Sequence, residues 1–226
     1  VDTNAILSTI FAKFAESEVA VGAVRILGGS YLNRENTMSE HYGVISQVSK
    51  QGLAAIAPQA QDTLDSKFAP LISAGAPILG GHELLAQQPN ISAFALQVLN
   101  DNIGTTKLAP GTYAMQLKID GRPMLVLNGF HPQQLVPFTT PGNAIIVMEI
   151  LTSQPWNTMR RLICGATNPA RAADGSIRNV LLCDKSKYNL ADVSMSANCV
   201  HMSAGPLEGM VELQRFMKAP GSSIPA

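Results

Sequence analysis

The chain has 226 residues, 46% of them hydrophobic, which is enough for one well-packed core or for one domain with a large insertion. Only 14% of the residues are charged, against about 25% in an ordinary soluble domain, and 16 basic residues balance 16 acidic ones. The resulting net charge of zero argues against a general binder of nucleic acid or of anionic membranes, because such a protein needs an excess of cations.

The N-terminal part of the chain predicts a helix, a strand and a second helical region. Residues 1–17 carry apolar side chains at helical spacing, and one of the three polar residues after Val1 is in position to cap that helix. Residues 19–27 are rich in β-branched side chains, which predicts a strand that a pair of glycines ends. Residues 34–48 predict a short helical region.

The middle of the chain contains the strongest local signal. Residues 51–110 are rich in Ala, Gln, Gly and Pro, and residues 91–99 within them predict a helix. Apolar and polar side chains alternate over 113–119, Asp120-Gly121 follows, and residues 124–127 form a second apolar run. This order predicts a β-hairpin with a tight turn.

Strand and helix patterns alternate in the C-terminal half. Helical patterns lie at 131–138, at 155–162 behind a cap at Ser153, and from Pro206 along an apolar face of Leu207, Met210, Val211 and Phe216. Strand patterns lie at 144–151, which we expect to be buried, and at 178–184 and 198–201. Residues 165–175 are rich in turn residues. Such alternation predicts an α/β or α+β domain.

The three cysteines, Cys164, Cys183 and Cys199, show no metal-ligand spacing. An odd number of cysteines favours buried free thiols in a reducing compartment, so we expect a cytoplasmic protein. No apolar run approaches the roughly 18 residues that span a bilayer, and no secretion signal is visible. We therefore expect no membrane partner.

Cationic side chains cluster in one short segment. Arg160, Arg161, Arg171 and Arg178 surround the turn-rich residues 165–169. Arginine binds phosphate oxygens through a planar fork of donors, so the cluster is a candidate polyphosphate site. The alternative is a solvated basic face of a helix and its loop, which composition alone favours.

His201 is the second candidate, because it lies at the end of a predicted strand and just before a helix. A neutral imidazole is a competent nucleophile near pH 7, and a carboxylate such as Glu208 or Glu212 can orient it. On spacing alone, a lone histidine there is more often a packed or surface residue. The other histidines are too dispersed along the sequence for a metal site: His41, His82 and His131.

Several short motifs occur in a definite order along the chain. They are residues 10–14, 40–42, 165–170, 174–178, 198–203 and Glu212. Together with the intervals from Arg161 to Thr167, Thr167 to Arg178 and His201 to Glu212, this ordered set resembles the nucleoside diphosphate kinase family. The resemblance covers about residues 1–48 and 130–217.

The resemblance implies an α/β (α+β) fold, namely a ferredoxin-like sandwich in which helices pack on an antiparallel sheet. It implies one nucleoside diphosphate kinase-like domain over residues 1–226. An insertion at about residues 50–129, which contains the β-hairpin, interrupts that domain. Residues 179–197 form an extra loop near the family's usual oligomer contacts.

The resemblance also implies an activity and a site. Members of the family transfer the γ-phosphate of a nucleoside triphosphate to a nucleoside diphosphate by a ping-pong mechanism through a phosphohistidine. Mg²⁺ bridges the nucleotide phosphates, and no protein residue is expected to ligate a metal. The resemblance implies that His201 is the nucleophile and that Glu212 orients its ring. It implies that Arg161 and Thr167 bind the β-phosphate and that Arg178 binds the transferring group. Tyr42 and Asn198 are implied to support the nucleophile, the phosphates or the sugar.

The chain departs from the family pattern at several positions. The family's first strand, with its Lys-Pro-Asp motif, is expected just before Val1. Met202 and Ala204 stand where the family has Gly and Asp, and either change is expected to lower activity.

These departures leave three hypotheses open. The first is an active nucleoside diphosphate kinase that binds nucleoside di- and triphosphates and forms a homo-oligomer, a dimer or higher. The second is a catalytically weak nucleotide-binding or regulatory scaffold with the same fold. The third is a related enzyme that acts on another phosphorylated substrate.

Overall fold

The computed structural model describes residues 1–194 and 197–217. The helices are α1 Thr3–Glu16, α2 Gly29–Arg34, α3 Thr37–Tyr42, α4 Val44–Gln51, α5 Pro58–Ser73, α6 Gly81–Gln87, α7 Ala93–Ile103, α8 His131–Thr139, α9 Trp156–Thr158, α10 Ile177–Cys183 and α11 Pro206–Met217. The strands are β1 Ala20–Gly28, β2 Ile78–Gly80, β3 Thr106–Ala109, β4 Thr112–Ile119, β5 Arg122–Leu127 and β6 Ala144–Leu151. Short 3₁₀ segments lie at Gly52–Ala55 and Pro169–Arg171, and a π-helical segment at Met159–Cys164.

The chain divides into two compact units. Unit 1 comprises Val1–Ile26 and Ile146–Ala226, and unit 2 comprises Leu27–Ile145. Residues 50–129, the predicted insertion, lie entirely within unit 2. Both helices and sheets are present, so the prediction of a mixed α/β class is confirmed. No helix among the described residues is both long enough and apolar enough to cross a membrane.

Unit 2 contains a mixed sheet with the strand order β2-β5-β4-β3. Strands β3, β4 and β5 are antiparallel neighbours, whereas β2 runs parallel to β5. Asp120 and Gly121 join β4 to β5 with φ angles of 49° and 80°. A type I′ turn requires positive φ at both central residues, which explains why Asp-Gly occupies this position. The hairpin predicted from the alternating pattern is confirmed.

Both faces of this sheet are covered by helices. Alternate residues of β5 enter two separate apolar clusters: Leu125 and Leu127 pack with Leu64 of α5, and Met124 and Val126 pack with helices α6 and α7. Because side chains of a strand alternate between the two faces, β5 is apolar and buried at every position from Met124 to Leu127 instead of alternating with polar residues. The sheet therefore forms the centre of unit 2.

Unit 1 pairs β1 with β6 and buries an apolar cluster that includes Ile10, Ile177 and Leu181. Helix α1 begins at a cap, because the Asp2 carboxylate accepts a hydrogen bond from the Ala5 amide at 3.0 Å. The helix predicted for residues 1–17 and the strand predicted for 19–27 are confirmed.

The predicted extra loop contributes to this core. Tyr188 is fully buried, and its hydroxyl lies 3.0 Å from Thr9 Oγ1 of α1. Its carbonyl also accepts a hydrogen bond from the Asp2 amide at 2.8 Å. This part of residues 179–197 therefore packs against the first helix.

Two strand predictions are wrong. Residues 177–183 form helix α10, because Ile177 and Leu181, four residues apart, both enter the core of unit 1. Residues 198–201 have no regular secondary structure, and no strand in the described ranges pairs with them. Only Val200 in this segment favours a strand, and Cys199 has a φ angle of 67°, outside the extended region that a strand requires.

Two predictions of burial also need correction. Strand β6 forms at the expected residues, but it is half-buried with exposed ends. On α11 the residues expected on the buried face are exposed, by 79% for Leu207 and 60% for Met210. The inward side of this helix instead contains Phe216, as expected, together with Glu212.

Candidate active site

His201 and Glu212 form a hydrogen-bonded pair in unit 1. His201 lies five residues before α11, Glu212 lies on that helix, and His201 Nε2 is 2.9 Å from Glu212 Oε1. The histidine side chain is 58% exposed, whereas the glutamate side chain is 9% exposed. A carboxylate accepts the Nε2–H, so the neutral ring has its lone pair on Nδ1. The pair thus presents an oriented imidazole at the surface with a buried anion behind it.

Ser203 completes the hydrogen bonding of this carboxylate. Its hydroxyl donates to Glu212 Oε2, so each carboxylate oxygen has a donor. The Ser203 carbonyl in turn accepts from Trp156 Nε1 at 3.0 Å. Ser203 belongs to the motif at 198–203, but no pattern in the sequence indicates this contact. Ser203 therefore helps to position Glu212 and connects it to α9.

Arg178 is buried and engages the backbone instead of solvent. Its Nη1 donates to the Gly165 carbonyl at 2.8 Å and its Nη2 to the Val200 carbonyl at 2.6 Å. Its Nε has no hydrogen-bond partner within the described residues. The guanidinium thus joins the loop that follows residue 164 to the segment that carries His201. The predicted contact of Arg178 with a transferring phosphate stays a prediction.

Asn198 adds a second connection between the same segments, because its Nδ2 donates to the Thr167 carbonyl at 3.3 Å. Thr167 is exposed, and so is Arg161 in the π-helical segment. These two side chains are therefore accessible to an anion from solvent. The structure thus brings the 165–175 loop beside the histidine-bearing segment, as a phosphate site made from both would require.

Tyr42 belongs to unit 2, whereas the other predicted site residues belong to unit 1. The Tyr42 ring packs edge-on against His131 at 5.4 Å between centroids and is tilted against Phe138 at 6.3 Å. Burial raises the pKa of Tyr42. The described ring contacts of Tyr42 are therefore with aromatic side chains, namely His41, His131 and Phe138.

The cysteines only partly match their prediction. All three are free thiols, but Cys183 and Cys199 are exposed, and only Cys164 is buried. Burial raises the pKa of the Cys164 thiol, while the nearby Arg178 guanidinium acts in the opposite direction. The expectation of buried thiols is wrong for Cys183 and Cys199.

Two histidines that are distant in sequence come together in unit 2. The rings of His82 and His131 lie 5.7 Å apart between centroids, and His82 Nδ1 is 2.9 Å from Ser49 Oγ. Burial, then His131, then Lys50 lower the pKa of His82 to about 4, and a hydrogen bond with Ser49 opposes them. The two residues are dispersed along the sequence, which gives no sign of this pairing because the pairing depends on the tertiary fold.

We expect the stability of the protein to fall as the pH drops from about 6.5 to about 4. His82 has a pKa of about 4 in the folded chain against an ordinary 6.5. As the pH drops through this interval, the unfolded chain binds a proton that the folded chain does not, so the free energy of unfolding falls. Urea unfolding followed by NMR across this pH range measures the effect. His82→Gln should show a smaller loss, and an unchanged slope in that variant would contradict the assignment to His82.

The family resemblance implies phosphoryl transfer at His201, and on that expectation Glu212→Gln should lower the transfer by about 10- to 100-fold while His201 can still be labelled. A hydrogen bond to a charged group contributes about 1.5–3 kcal/mol, and the amide keeps the shape but lacks the charge that stabilises a cationic ring. Steady-state kinetics measures the change. The matched control is Glu208→Gln on the exposed side of the same helix. An equal loss of phosphoryl transfer in that variant would contradict a specific role for Glu212.

No known protein-family model matches the chain, and no solved structure matches it either. The candidate site is therefore described by its own geometry. That geometry comprises an exposed imidazole on a buried carboxylate and a buried arginine that joins the two adjoining segments.

Proposed function

We propose that the chain is a nucleoside diphosphate kinase that transfers the γ-phosphate of a nucleoside triphosphate through a phosphohistidine at His201. The observation that carries the proposal is the 2.9 Å contact between His201 Nε2 and Glu212 Oε1, with the ring exposed and the carboxylate buried. This contact fixes the tautomer in which Nδ1 is the nucleophilic nitrogen. The ordered sequence motifs add independent support.

The chemistry divides into two equivalent half-reactions. The Nδ1 lone pair of His201 attacks the γ-phosphorus, and the bond from that phosphorus to the bridging oxygen breaks, so the nucleoside diphosphate leaves with the electron pair. An oxygen of the acceptor's terminal phosphate then attacks the same phosphorus, and the P–N electrons return to Nδ1. Glu212 stabilises the positive charge that the ring acquires in each half.

The phosphates need positive charge and in-line positioning. Arg161 and Thr167 are exposed and available for the β-phosphate, and Asn198 holds the Thr167 loop beside the histidine-bearing segment. A Mg²⁺ ion carried by the nucleotide would supply further neutralisation of the phosphate charge. The assignment of Arg178 to the transferring group requires that its guanidinium exchange a backbone carbonyl for a phosphate oxygen.

The proposal includes the family's ferredoxin-like sandwich for the domain that the insertion at about residues 50–129 interrupts. The pairing of β1 with β6 supports it, as does the common core formed by α1 and α10. We also propose a homo-oligomer in the cytoplasm. Exposed apolar side chains on α11, such as Leu207 and Met210, support association, and the free cysteines are compatible with a reducing compartment.

A second candidate function is a nucleotide-binding scaffold with little transfer. The engagement of Arg178 by two carbonyls favours it, because a guanidinium held in this way is less available to a phosphate. Met202 and Ala204 beside the histidine also favour it. This candidate predicts binding of nucleoside diphosphates without turnover.

Labelling the full chain with a γ-³²P nucleoside triphosphate and Mg²⁺ tests the proposal. We expect an acid-labile label that an added nucleoside diphosphate removes, together with turnover in a coupled assay. Binding of the nucleoside diphosphate without label or turnover would favour the scaffold. Absence of binding, label and turnover would reject both candidates.

A further inference from the structure

Unit 2 contains a polar cavity that the proposed function does not use. Its volume is about 250 Å³, and it lies among α2, α3, α8 and the residues Lys50 and His82. Apolar side chains such as Leu32 and Leu135 form part of its wall. The space exceeds what a single water requires, so the cavity can admit a small molecule.

The cavity has one formal positive charge at neutral pH. Lys50 and His82 are the only basic side chains on its wall in the described part of the chain, and no carboxylate lines it there. Because its pKa lies near 4, His82 is neutral at pH 7. The Lys50 ammonium donates to neutral oxygens, Asn36 Oδ1 at 3.2 Å and Ser39 Oγ at 2.9 Å, which leaves a third N–H for a ligand.

The hydrogen bonds around Ser49 determine the tautomer of His82. The Ser49 hydroxyl donates to the Asn128 carbonyl at 3.1 Å, and a hydroxyl has only one proton. At its 2.9 Å contact with His82 Nδ1, Ser49 Oγ is therefore the acceptor. The neutral ring consequently has its proton on Nδ1 and a lone pair on Nε2, so Nε2 accepts a hydrogen bond.

The Asn128 carbonyl that accepts from Ser49 belongs to a residue that is itself fixed by hydrogen bonds. Asn128 is fully buried, and its side chain accepts from the Tyr113 amide at 2.9 Å and donates to the Gly111 carbonyl at 2.8 Å. The hydrogen bonds that link Asn128, Ser49 and His82 are therefore anchored in the sheet of unit 2. The lone pair on His82 Nε2 is thus fixed by the fold and does not depend on an adjustable surface contact.

We infer that this cavity binds a small oxyanion that brings its own O–H, of which hydrogen phosphate is the simplest, with Lys50 neutralising the charge and His82 Nε2 accepting the O–H. Asn36 and Ser39, which hold the ammonium, supply further polar atoms on the wall. An anion without a proton, such as sulfate, places an oxygen against the Nε2 lone pair and is disfavoured. The site lies within unit 2 and is independent of the proposed kinase activity.

The test uses the full chain at pH 7.5 and constant ionic strength, with inorganic phosphate, sulfate and chloride as probes. The readout is the NMR signal of the His82 ring. Phosphate should shift it in a saturable way, with an affinity at least about tenfold above that of sulfate, which corresponds to about 1.4 kcal/mol. Methyl phosphate, which has lost its O–H at this pH, should bind as weakly as sulfate and so separates free phosphate from phosphate esters.

Lys50→Met should weaken phosphate binding by at least about tenfold, whereas Lys107→Met, at an exposed lysine of β3, should leave it unchanged. The comparison between phosphate and sulfate on the unaltered chain needs no variant, so it remains decisive if Lys50→Met fails to fold. Sulfate or methyl phosphate binding as tightly as phosphate would overturn the inference. So would a shift that chloride reproduces at equal ionic strength.

Discussion

Replacement of His201 by Gln should abolish the phosphate label and lower turnover by at least about 1,000-fold. In the proposed mechanism the imidazole forms the bond to phosphorus, and loss of a covalent nucleophile removes the two-step route entirely. The fold should survive, because the side chain is 58% exposed and Gln retains a donor for the Glu212 carboxylate. Acid-labile incorporation of ³²P and a coupled kinetic assay measure the two effects.

His82→Gln is the matched control for this prediction, because it removes a different imidazole in unit 2. It should keep the label. His201→Gly provides a second test, since added imidazole should restore part of the turnover if the missing group is the nucleophile. Full labelling of the His201→Gln chain would place the phosphoryl group on another residue and reject His201 as the nucleophile.

Local signals predicted the elements whose structure depends on local physics. The alternation before Asp120-Gly121 predicted the β4–β5 hairpin, because turn geometry is set by those two residues. The helical spacing of apolar residues after Val1 predicted α1, because that spacing is also a local property of the sequence. His201 and Glu212 were paired from a family interval of eleven residues, and they lie in contact.

The sequence did not predict features that depend on distant partners. The pairing of His82 with His131 joins residues 49 positions apart, and no local pattern indicates which elements the sheet brings together. The hydrogen bond from Ser203 to Glu212 likewise has no signal in the sequence, because it depends on how α11 packs. The strand predicted at residues 198–201 is absent for a local reason, because only Val200 there favours a strand and Cys199 has a φ angle of 67°.

Helix α11 shows why pattern alone misjudged the site. Its apolar residues predicted a face buried against the core, yet Leu207 and Met210 are exposed and the carboxylate of Glu212 points inward. A buried carboxylate is costly unless donors satisfy it, and the His201 ring and the Ser203 hydroxyl do so. The orientation of the helix is thus coupled to the hydrogen bonding of the candidate site.

Replacement of Arg178 by Met should destabilise unit 1 by about 2–4 kcal/mol, because the Gly165 and Val200 carbonyls would lose their charged donors. Methionine fills much of the same volume without a donor, so the loss measures the hydrogen bonds more than the packing. Urea unfolding followed by the fluorescence of Trp156, the single tryptophan and a residue of unit 1, reports the change.

Arg171→Met is the control, because Arg171 is exposed on the adjoining 3₁₀ segment and should change stability by no more than about 0.5 kcal/mol. Arg178→Lys should fall between the two, since an ammonium keeps the charge but cannot reproduce a planar fork that reaches both carbonyls. The same variants separate two roles of this side chain. A large loss of stability identifies Arg178 as the connection between the loop and the histidine segment, whereas unchanged unfolding with a collapse in kcat/KM would show that its guanidinium acts on phosphate instead.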